Sequence, residues 1–148
     1  AVRFVVLGGL DEENPGGLSR VELERLTAAG IVEYPGHVTS VKEWLVDSSV
    51  FVLPSYYREG VPCSTQEAMA VGRAVITTDM PGCRETVIDG VNGYLVQRWD
   101  STDLAEKMLR FVENPELINK MGFESRCIAE KRFDALEVNA RLIEMIKY

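Results

Sequence analysis

The chain has 148 residues, of which 46% are hydrophobic and 26% charged, and its formal net charge at pH 7 is −7. This length suits one globular core rather than two domains. The acidic balance disfavours nucleic acid and anionic membranes as direct partners, because both select a basic surface. No apolar run approaches the roughly 20 residues that span a bilayer. Three cysteines without metal-like spacing and a single histidine predict reduced thiols, no metal site and a cytoplasmic chain.

The first 49 residues predict two strands that alternate with two helices. The strands are expected over Val2–Leu7 and Ile31–Tyr34, and an acidic, turn-rich surface loop over Asp11–Gly17. A short amphipathic helix is expected to pass through Trp44–Val46.

A capping signal marks the start of the longer helix in this part of the chain. Ser19 is followed at the capping-box spacing by Glu22, and Gly30 is placed to end the helix. The pattern therefore predicts a helix of about ten residues between these signals.

Residues 50–72 predict a strand, a loop and a helix in succession. Val50–Leu53 is an apolar, β-branched run typical of a buried parallel strand. Pro62 suits the first position of a helix, and Gly72 is placed to stop it. In an open parallel sheet, a loop after the carboxyl end of a strand lines the ligand crevice, and the helix that starts there favours an anion.

The loop and the start of this helix carry the groups that a nucleotide sugar needs. The predicted backbone donors to a phosphate are Gly60, Val61, Cys63 and Ser64. Two carboxylates, Glu59 and Glu67, bracket this anion site. Carboxylates repel phosphate but accept hydrogen bonds from hydroxyl groups. A phosphate between two hydroxyl-bearing groups describes a nucleotide sugar.

The second half of the chain predicts two more strands. Ala74–Thr78 reads as a buried strand, and Asn92-Gly93 as a turn into a last strand over Tyr94–Val96. Between them, Gly82 suits a tight turn, and Glu85 is expected to start a short helix that ends at Gly90.

Three helices are expected to close the chain, and their apolar stripes to be core. The predicted helices run over Thr102–Val112, from Pro115 with Asn114 as its cap, and over Ala135–Tyr148. Part of the stripe of the last helix is expected to be exposed. Strands that alternate with helices predict an α/β fold with a parallel sheet.

Residues 54–93 resemble the carboxyl-terminal, donor-binding domain of retaining GT-B glycosyltransferases of family four, group 1. The resemblance lies in Pro54-Ser55, Arg58-Glu59-Gly60-Val61-Pro62, Glu67-Ala68-Met69-Ala70, Gly82, Glu85 and Asn92-Gly93. It implies a Rossmann-like three-layer parallel sheet with helices on both faces, the carboxyl-terminal half of a GT-B fold. It also implies that residues 1–148 are one nucleotide-sugar-binding fragment, without the first strand and helix of the domain and without the amino-terminal acceptor domain.

The resemblance assigns roles to individual residues. Glu59 is the implied catalytic residue at the donor sugar, and Glu67 is implied to contact ribose hydroxyls. Gly82 and Glu85 are implied to lie beside the donor, and backbone groups of His37 and Val38 to face a uracil. Three of these residues have a simpler interpretation: Glu67 and Glu85 as acids that stabilise helix dipoles, and His37 as an exposed turn residue. Cys63 departs from the basic residue that relatives often carry at this position.

The implied activity is transfer of a hexosyl or N-acetylhexosaminyl group from a UDP-linked donor to a glycan or lipid-linked acceptor, with retention at the anomeric carbon. No cofactor or metal is implied, membrane association is at most peripheral through the acceptor domain, and the isolated fragment is expected to be inactive. A GT-B sugar-nucleotide epimerase is the alternative, although a single histidine argues against it. A non-catalytic signalling module is a weaker one, because the central strand ends in Leu53-Pro54-Ser55 rather than in acidic residues.

Overall fold

The structure is a computed structural model that describes residues 2–10, 17–58 and 60–147. The described residues form two compact units, divided between Val41 and Lys42. Glu59 and most of the predicted loop over Asp11–Gly17 lie outside the described residues. None of the helices in the described ranges is long and apolar enough to cross a membrane.

The first unit contains two parallel strands and one helix. These are β1 (Val5–Leu7), α1 (Arg20–Ala28) and β2 (Glu33–Gly36), with Val5 opposite Glu33 and Leu7 opposite Gly36. The capping box is confirmed: the Glu22 N–H donates to the Ser19 hydroxyl at 3.3 Å, and the Glu22 carboxylate accepts from the Ser19 N–H at 3.3 Å.

Strand β2 begins later than the predicted Ile31, because the end of α1 uses that residue. The Ile31 N–H donates to the Leu26 carbonyl at 3.0 Å, and the Gly30 N–H donates to the Thr27 carbonyl at 2.9 Å. Gly30 has a φ of 65°, which glycine adopts without strain. Together these bonds form a Schellman motif, so the ladder with β1 starts two residues further on.

The second unit is built on a three-stranded parallel sheet in the order β3-β4-β5. Helix α2 (Val41–Asp47) precedes the first of these strands. The remaining elements are β3 (Val50–Leu53), α3 (Cys63–Ala70), β4 (Ala74–Thr78), a 3₁₀ turn (Cys83–Glu85), β5 (Gly93–Val96), α4 (Ser101–Glu113), α5 (Glu116–Arg132) and α6 (Ala135–Ile146). The ladders run without a bulge from Val50 opposite Ala74 and from Val75 opposite Gly93.

Helices cover both faces of this sheet. On one face, Ala74 and Ile76 of β4 join a core that includes Phe111 of α4 and Met121 of α5. On the other face, Val75 packs in a cluster with Met69 of α3 and Ala129 of α5. Alternate residues of one buried strand thus point to opposite helical layers, as the pleat requires. The predicted parallel α/β architecture with helices on both sides is confirmed.

Three predicted helix starts were wrong. Pro62 is the N-cap of α3 rather than its first residue. The predicted helix over Glu85–Gly90 is a 3₁₀ turn that ends at Glu85, because the Ile88 N–H donates to Oδ1 of Asn92 at 2.7 Å instead of to a helical carbonyl. Asn114 ends α4 instead of starting α5, since its N–H and its Nδ2 both donate to the Arg110 carbonyl, at 3.0 and 3.2 Å.

The apolar stripes of the closing helices are only partly core. In α4, Phe111 is buried, whereas Leu109 and Val112, which belong to the apolar stripe predicted as core, are about half exposed. In α6, none of the described side chains is buried, and Ile146 is 81% exposed. The prediction that the α6 stripe forms core is therefore wrong for the described residues. Part of this stripe was expected to be exposed, and in the structure every residue of α6 is exposed.

Candidate functional site

The loop after β3 leads into an uncapped helix start. Pro62 occupies the N-cap position of α3 with φ −64° and ψ 125°, but it has no side-chain group that could accept a capping hydrogen bond, so the helix start is uncapped. The first backbone bond of the helix runs from the Gln66 N–H to the Pro62 carbonyl at 3.2 Å. The N–H groups of Cys63, Ser64 and Thr65 precede that bond and lie in the first turn, where the helix dipole is positive. This arrangement favours an anion.

The loop itself is attached to the helix through a glutamine. The Gln66 side chain donates from Nε2 to the Val61 carbonyl at 3.2 Å. Gly60 has open space where a Cβ would stand, with no described heavy atom within 4 Å. Gly60 and Val61 therefore precede the helix start in the structure. Glu59, the predicted catalytic residue, lies outside the described residues.

Glu67 lies on the exposed side of α3, one turn beyond the predicted anion site. Its neighbours Thr65, Ala68 and Met69 are buried on the opposite side of the helix. A carboxylate in this position can accept hydrogen bonds from a ligand at the surface without the cost of burying its charge.

The loop after β4 contains the other two predicted residues of this unit. Gly82 has a φ of 86°, which confirms the tight turn predicted there. Glu85 is exposed at the end of the 3₁₀ turn, and Arg132 donates to its backbone carbonyl at 3.3 Å. Arg84 pairs with the Asp79 carboxylate at 2.9 Å and is held on its own loop.

His37 and Val38 belong to the first compact unit and are described there alone. They follow β2, which ends at Gly36 with a φ of 78°. His37 is exposed and Val38 is half-buried. Gly60, Val61, Cys63, Ser64, Glu67, Gly82 and Glu85 belong to the second unit, on the loops after β3 and β4 and on α3.

Three aromatic residues beyond the carboxyl ends of β3 and β5 were not predicted as functional. Tyr56 and Tyr57 follow β3, and Trp99 follows β5; the centre of the Tyr56 ring lies 4.4 Å from the centre of the Trp99 ring. The available signal was the paired tyrosines directly after the central strand. A contact between two separate loops cannot be read from either loop alone.

Within the described part of the chain, no three histidine, cysteine or acidic side chains lie close enough together to hold a metal ion. The expectation of a metal-free site stays a prediction.

The family model that matches the chain is described as glycosyl transferases group 1, and it covers residues 1–114. The chain belongs to this family. The family predicted from the sequence motifs is therefore confirmed, and this group 1 chain shares its fold with known GT-B glycosyltransferases.

Two curated relatives illustrate the similarity. One is the N,N′-diacetylbacillosaminyl-diphospho-undecaprenol alpha-1,3-N-acetylgalactosaminyltransferase of Campylobacter jejuni, 39% identical over 114 residues, which are 77% of this chain and 29% of that protein. The other is the capsular polysaccharide biosynthesis glycosyltransferase CapM of Staphylococcus aureus, 30% identical over 134 residues, or 90% of this chain and 34% of that protein. The chain thus spans about a third of the length of these relatives.

The crystal structure of Anabaena HepE in complex with UDP has the same fold. It superposes with a TM-score of 0.89 at 22% identity, over 99% of this chain and 41% of that one. At this identity the likeness establishes the fold, and the ligand is that of HepE.

Proposed function

We propose that the chain is the donor-binding part of a retaining glycosyltransferase that moves a sugar from a UDP-linked donor to a glycan or lipid-linked acceptor. The observation that carries the proposal is the uncapped start of α3 with the exposed Glu67 one turn beyond it, in a chain of the group 1 family. The family favours a transferase over the epimerase and signalling alternatives. The family model and the HepE likeness both extend across the division at Val41, which supports one donor-binding domain over residues 1–148.

In this proposal the start of α3 holds the diphosphate. Backbone N–H groups of Gly60, Val61, Cys63 and Ser64 donate to its oxygens, and the helix dipole stabilises the charge that develops as the diphosphate leaves. Cys63 and Ser64 belong to the first turn of α3, and donors that are held in place before the reaction cost no reorganisation in the transition state.

The remaining predicted residues act on the hydroxyl-bearing and base parts of the donor. Glu67 accepts hydrogen bonds from ribose hydroxyls, and Glu59 contacts the donor sugar as the catalytic residue. Gly82 and Glu85 lie beside the donor, and backbone groups at His37 and Val38 face the uracil. The role of Glu59 follows from the family pattern.

The transferred group in this proposal is a hexosyl or N-acetylhexosaminyl unit, and no cofactor or metal is required. Two printed names support this chemistry: the C. jejuni relative is an N-acetylgalactosaminyltransferase named for a diphospho-undecaprenol-linked acceptor, and HepE was crystallised with UDP. The proposed location is the cytoplasm, with at most peripheral contact at the inner face of the membrane.

Calorimetric titration with UDP tests the proposal. Wild-type chain should bind UDP saturably and more tightly than GDP. Glu67→Ala should weaken binding roughly ten- to hundredfold, the effect of losing hydrogen bonds to a charged acceptor. Glu106→Ala is the matched control, because Glu106 is an exposed glutamate in the second turn of α4.

Two results would contradict parts of the proposal. Equal UDP affinity in Glu67→Ala and Glu106→Ala would remove Glu67 from the site, and a preference for GDP would overturn the uridine assignment. The 148-residue chain alone is expected to lack transferase activity, since it spans about a third of its relatives. Sugar transfer by the purified chain would contradict that expectation.

A further inference from the structure

Tyr56, Tyr57 and Trp99 form a continuous surface cluster, here called the aromatic platform. The Tyr56 ring lies at the centre, 4.3 Å from the Tyr57 ring and 4.4 Å from the Trp99 ring. The ring planes are tilted against each other by 34° and 32°, so neither pair is a parallel face-to-face stack. The Tyr56 hydroxyl also donates to the Tyr57 hydroxyl at 3.0 Å.

The aromatic platform lies at the carboxyl edge of the second sheet. Tyr56 and Tyr57 follow β3, which ends at Leu53, and Trp99 follows β5, which ends at Val96. In parallel sheets this is the edge at which ligands bind. Helix α3 starts from the same loop that carries the two tyrosines.

The backbone conformation at Trp99 is unusual for a tryptophan. Trp99 has a φ of 64° and is the one non-glycine residue in the described ranges with a positive φ. Turn chemistry alone would select glycine or asparagine at such a position, because a bulky side chain there is strained. Burial does not explain the tryptophan either, since Trp99 is 70% exposed.

The surface chemistry of the aromatic platform suits a sugar ring. Tyr57 is 49% exposed, so two large rings present apolar surface to solvent beside phenolic hydroxyls. The Arg98 guanidinium lies 5.4 Å from the centre of the Trp99 ring and adds hydrogen-bond donors. A pyranose combines an apolar face of CH groups with a rim of hydroxyls and matches both features.

We propose that the aromatic platform binds a pyranose ring of the acceptor glycan, packed on the exposed ring surfaces of Trp99 and Tyr57. This inference rests on the proposed function and names the substrate that meets the donor at this edge. An acceptor fits better than the donor, because phosphate and ribose are assigned to α3 and because an open surface accommodates a chain longer than one ring. Trp99 and Tyr57 would thus determine acceptor affinity without taking part in the chemical step.

Saturation-transfer NMR on the 148-residue chain tests the aromatic platform. The probes are maltose, cellobiose and N,N′-diacetylchitobiose at millimolar concentration, with UDP measured separately. Wild-type chain should transfer saturation to the CH protons of at least one disaccharide. Trp99→Gly should weaken that binding roughly three- to tenfold, the range expected for one lost aromatic contact.

Trp99→Gly is chosen because glycine adopts the observed φ without strain, so the variant should fold. Tyr57→Ala removes the second exposed ring and should weaken disaccharide binding in the same direction. Phe123→Ala is the matched control: Phe123 is a 67% exposed aromatic residue on α5, outside the aromatic platform. It should leave disaccharide binding unchanged.

Other results of these experiments would contradict the proposal for the aromatic platform or the proposal for the donor site. Unchanged disaccharide binding in Trp99→Gly and Tyr57→Ala, or no transfer to any of the three disaccharides by wild type, overturns the inference. Loss of UDP binding in Trp99→Gly would assign the rings to the nucleoside instead. If wild type binds a disaccharide through Trp99 but does not bind UDP, the donor proposal fails while the aromatic platform stands.

Discussion

The buried residues Asn92 and Ser125 are joined by two hydrogen bonds. The Asn92 side chain donates from Nδ2 to the Ser125 hydroxyl at 3.3 Å, and that hydroxyl donates to the backbone carbonyl of Asn92 at 3.1 Å. The same amide donates to the Thr86 carbonyl at 3.0 Å and accepts from the Ile88 N–H at 2.7 Å. One amide side chain therefore joins α5 to the segment that leads into β5.

We expect Asn92→Ala to lower the free energy of unfolding by about 3 kcal/mol, because it leaves the buried Thr86 carbonyl and Ile88 N–H without this partner. Ser125→Ala should cost about 1 kcal/mol, since Nδ2 of Asn92 keeps its bond to Thr86. Urea unfolding followed by circular dichroism measures both. Asn139→Ala is the control, because Asn139 is exposed on α6, and an equal loss of stability there would contradict the importance of the Asn92 hydrogen bonds.

The Asn92 network shows what a sequence pattern cannot predict. Asn92-Gly93 was predicted as a turn into the last strand, and the strand does begin at Gly93. The pattern describes local backbone geometry only. The partner Ser125 lies 33 residues away on a helix, so the role of the amide depends on packing that local propensity does not specify.

Gly93 and Gly122 mark two places where the backbone approaches another segment too closely for a side chain. A Cβ at Gly93 would stand 1.7 Å from the Val75 carbonyl oxygen, and a Cβ at Gly122 would stand 2.3 Å from the Gly72 carbonyl oxygen. Alanine at either position should therefore cost about 3 kcal/mol or more, by forcing the strand or α5 outward. Gly9→Ala should be close to neutral, because no described atom lies within 4 Å.

Thermal unfolding of the three glycine variants checks this expectation. A Gly93→Ala protein as stable as Gly9→Ala would mean that β5 can shift away from β4 at little cost, contrary to the observed register.

We expect the chain to be less stable with threonine at position 65 than with valine. The Oγ1 of Thr65 is buried, and no described group forms a hydrogen bond with it. Thr65→Val removes the unpaired hydroxyl at nearly constant volume and should stabilise the chain by about 1 kcal/mol. Denaturant unfolding measures the change. Thr77→Val is the contrast, since its hydroxyl donates to the Leu53 carbonyl at 2.9 Å and its loss should destabilise.

The elements that the sequence predicted well are those with strong local signals. The bounds of β3 and β4 match the prediction. Strand β3 is a continuous apolar run that Pro54 follows, and β4 is β-branched at every position from Val75 to Thr78. The exposure of α6 was only partly foreseen, because amphipathic spacing identifies an apolar face but not what covers it. The phosphate donors and the two carboxylates were predicted from the strand, loop and helix pattern of residues 50–72, and the roles of the other donor-site residues from the family pattern. The aromatic platform arises where two distant loops meet.

The pKa of Glu22 lies below its ordinary value, because the carboxylate accepts hydrogen bonds from the Ser19 hydroxyl, at 2.7 Å, and from the Ser19 N–H. The charge of Arg25 lowers this pKa further. A lowered pKa in the folded state means that this contribution to stability is present above the ordinary glutamate pKa and is lost as the pH falls through the folded value. Ser19→Ala should move the Glu22 pKa upward. NMR titration of the carboxyl carbon measures it, and an unchanged value would show that the hydroxyl is not the cause.

Helix α6 should tolerate polar substitution on its apolar stripe. Leu136 is 79% and Ile146 is 81% exposed, so Leu136→Gln and Ile146→Gln remove little buried surface and should change the free energy of unfolding by less than about 0.5 kcal/mol each. Phe111→Ala provides the contrast: Phe111 packs in the core against Tyr94 with ring centres 5.5 Å apart, and its loss should cost about 3–5 kcal/mol. Urea unfolding at low protein concentration compares the variants. A large loss in Leu136→Gln would show that the stripe is covered in solution, because only buried apolar surface resists a glutamine.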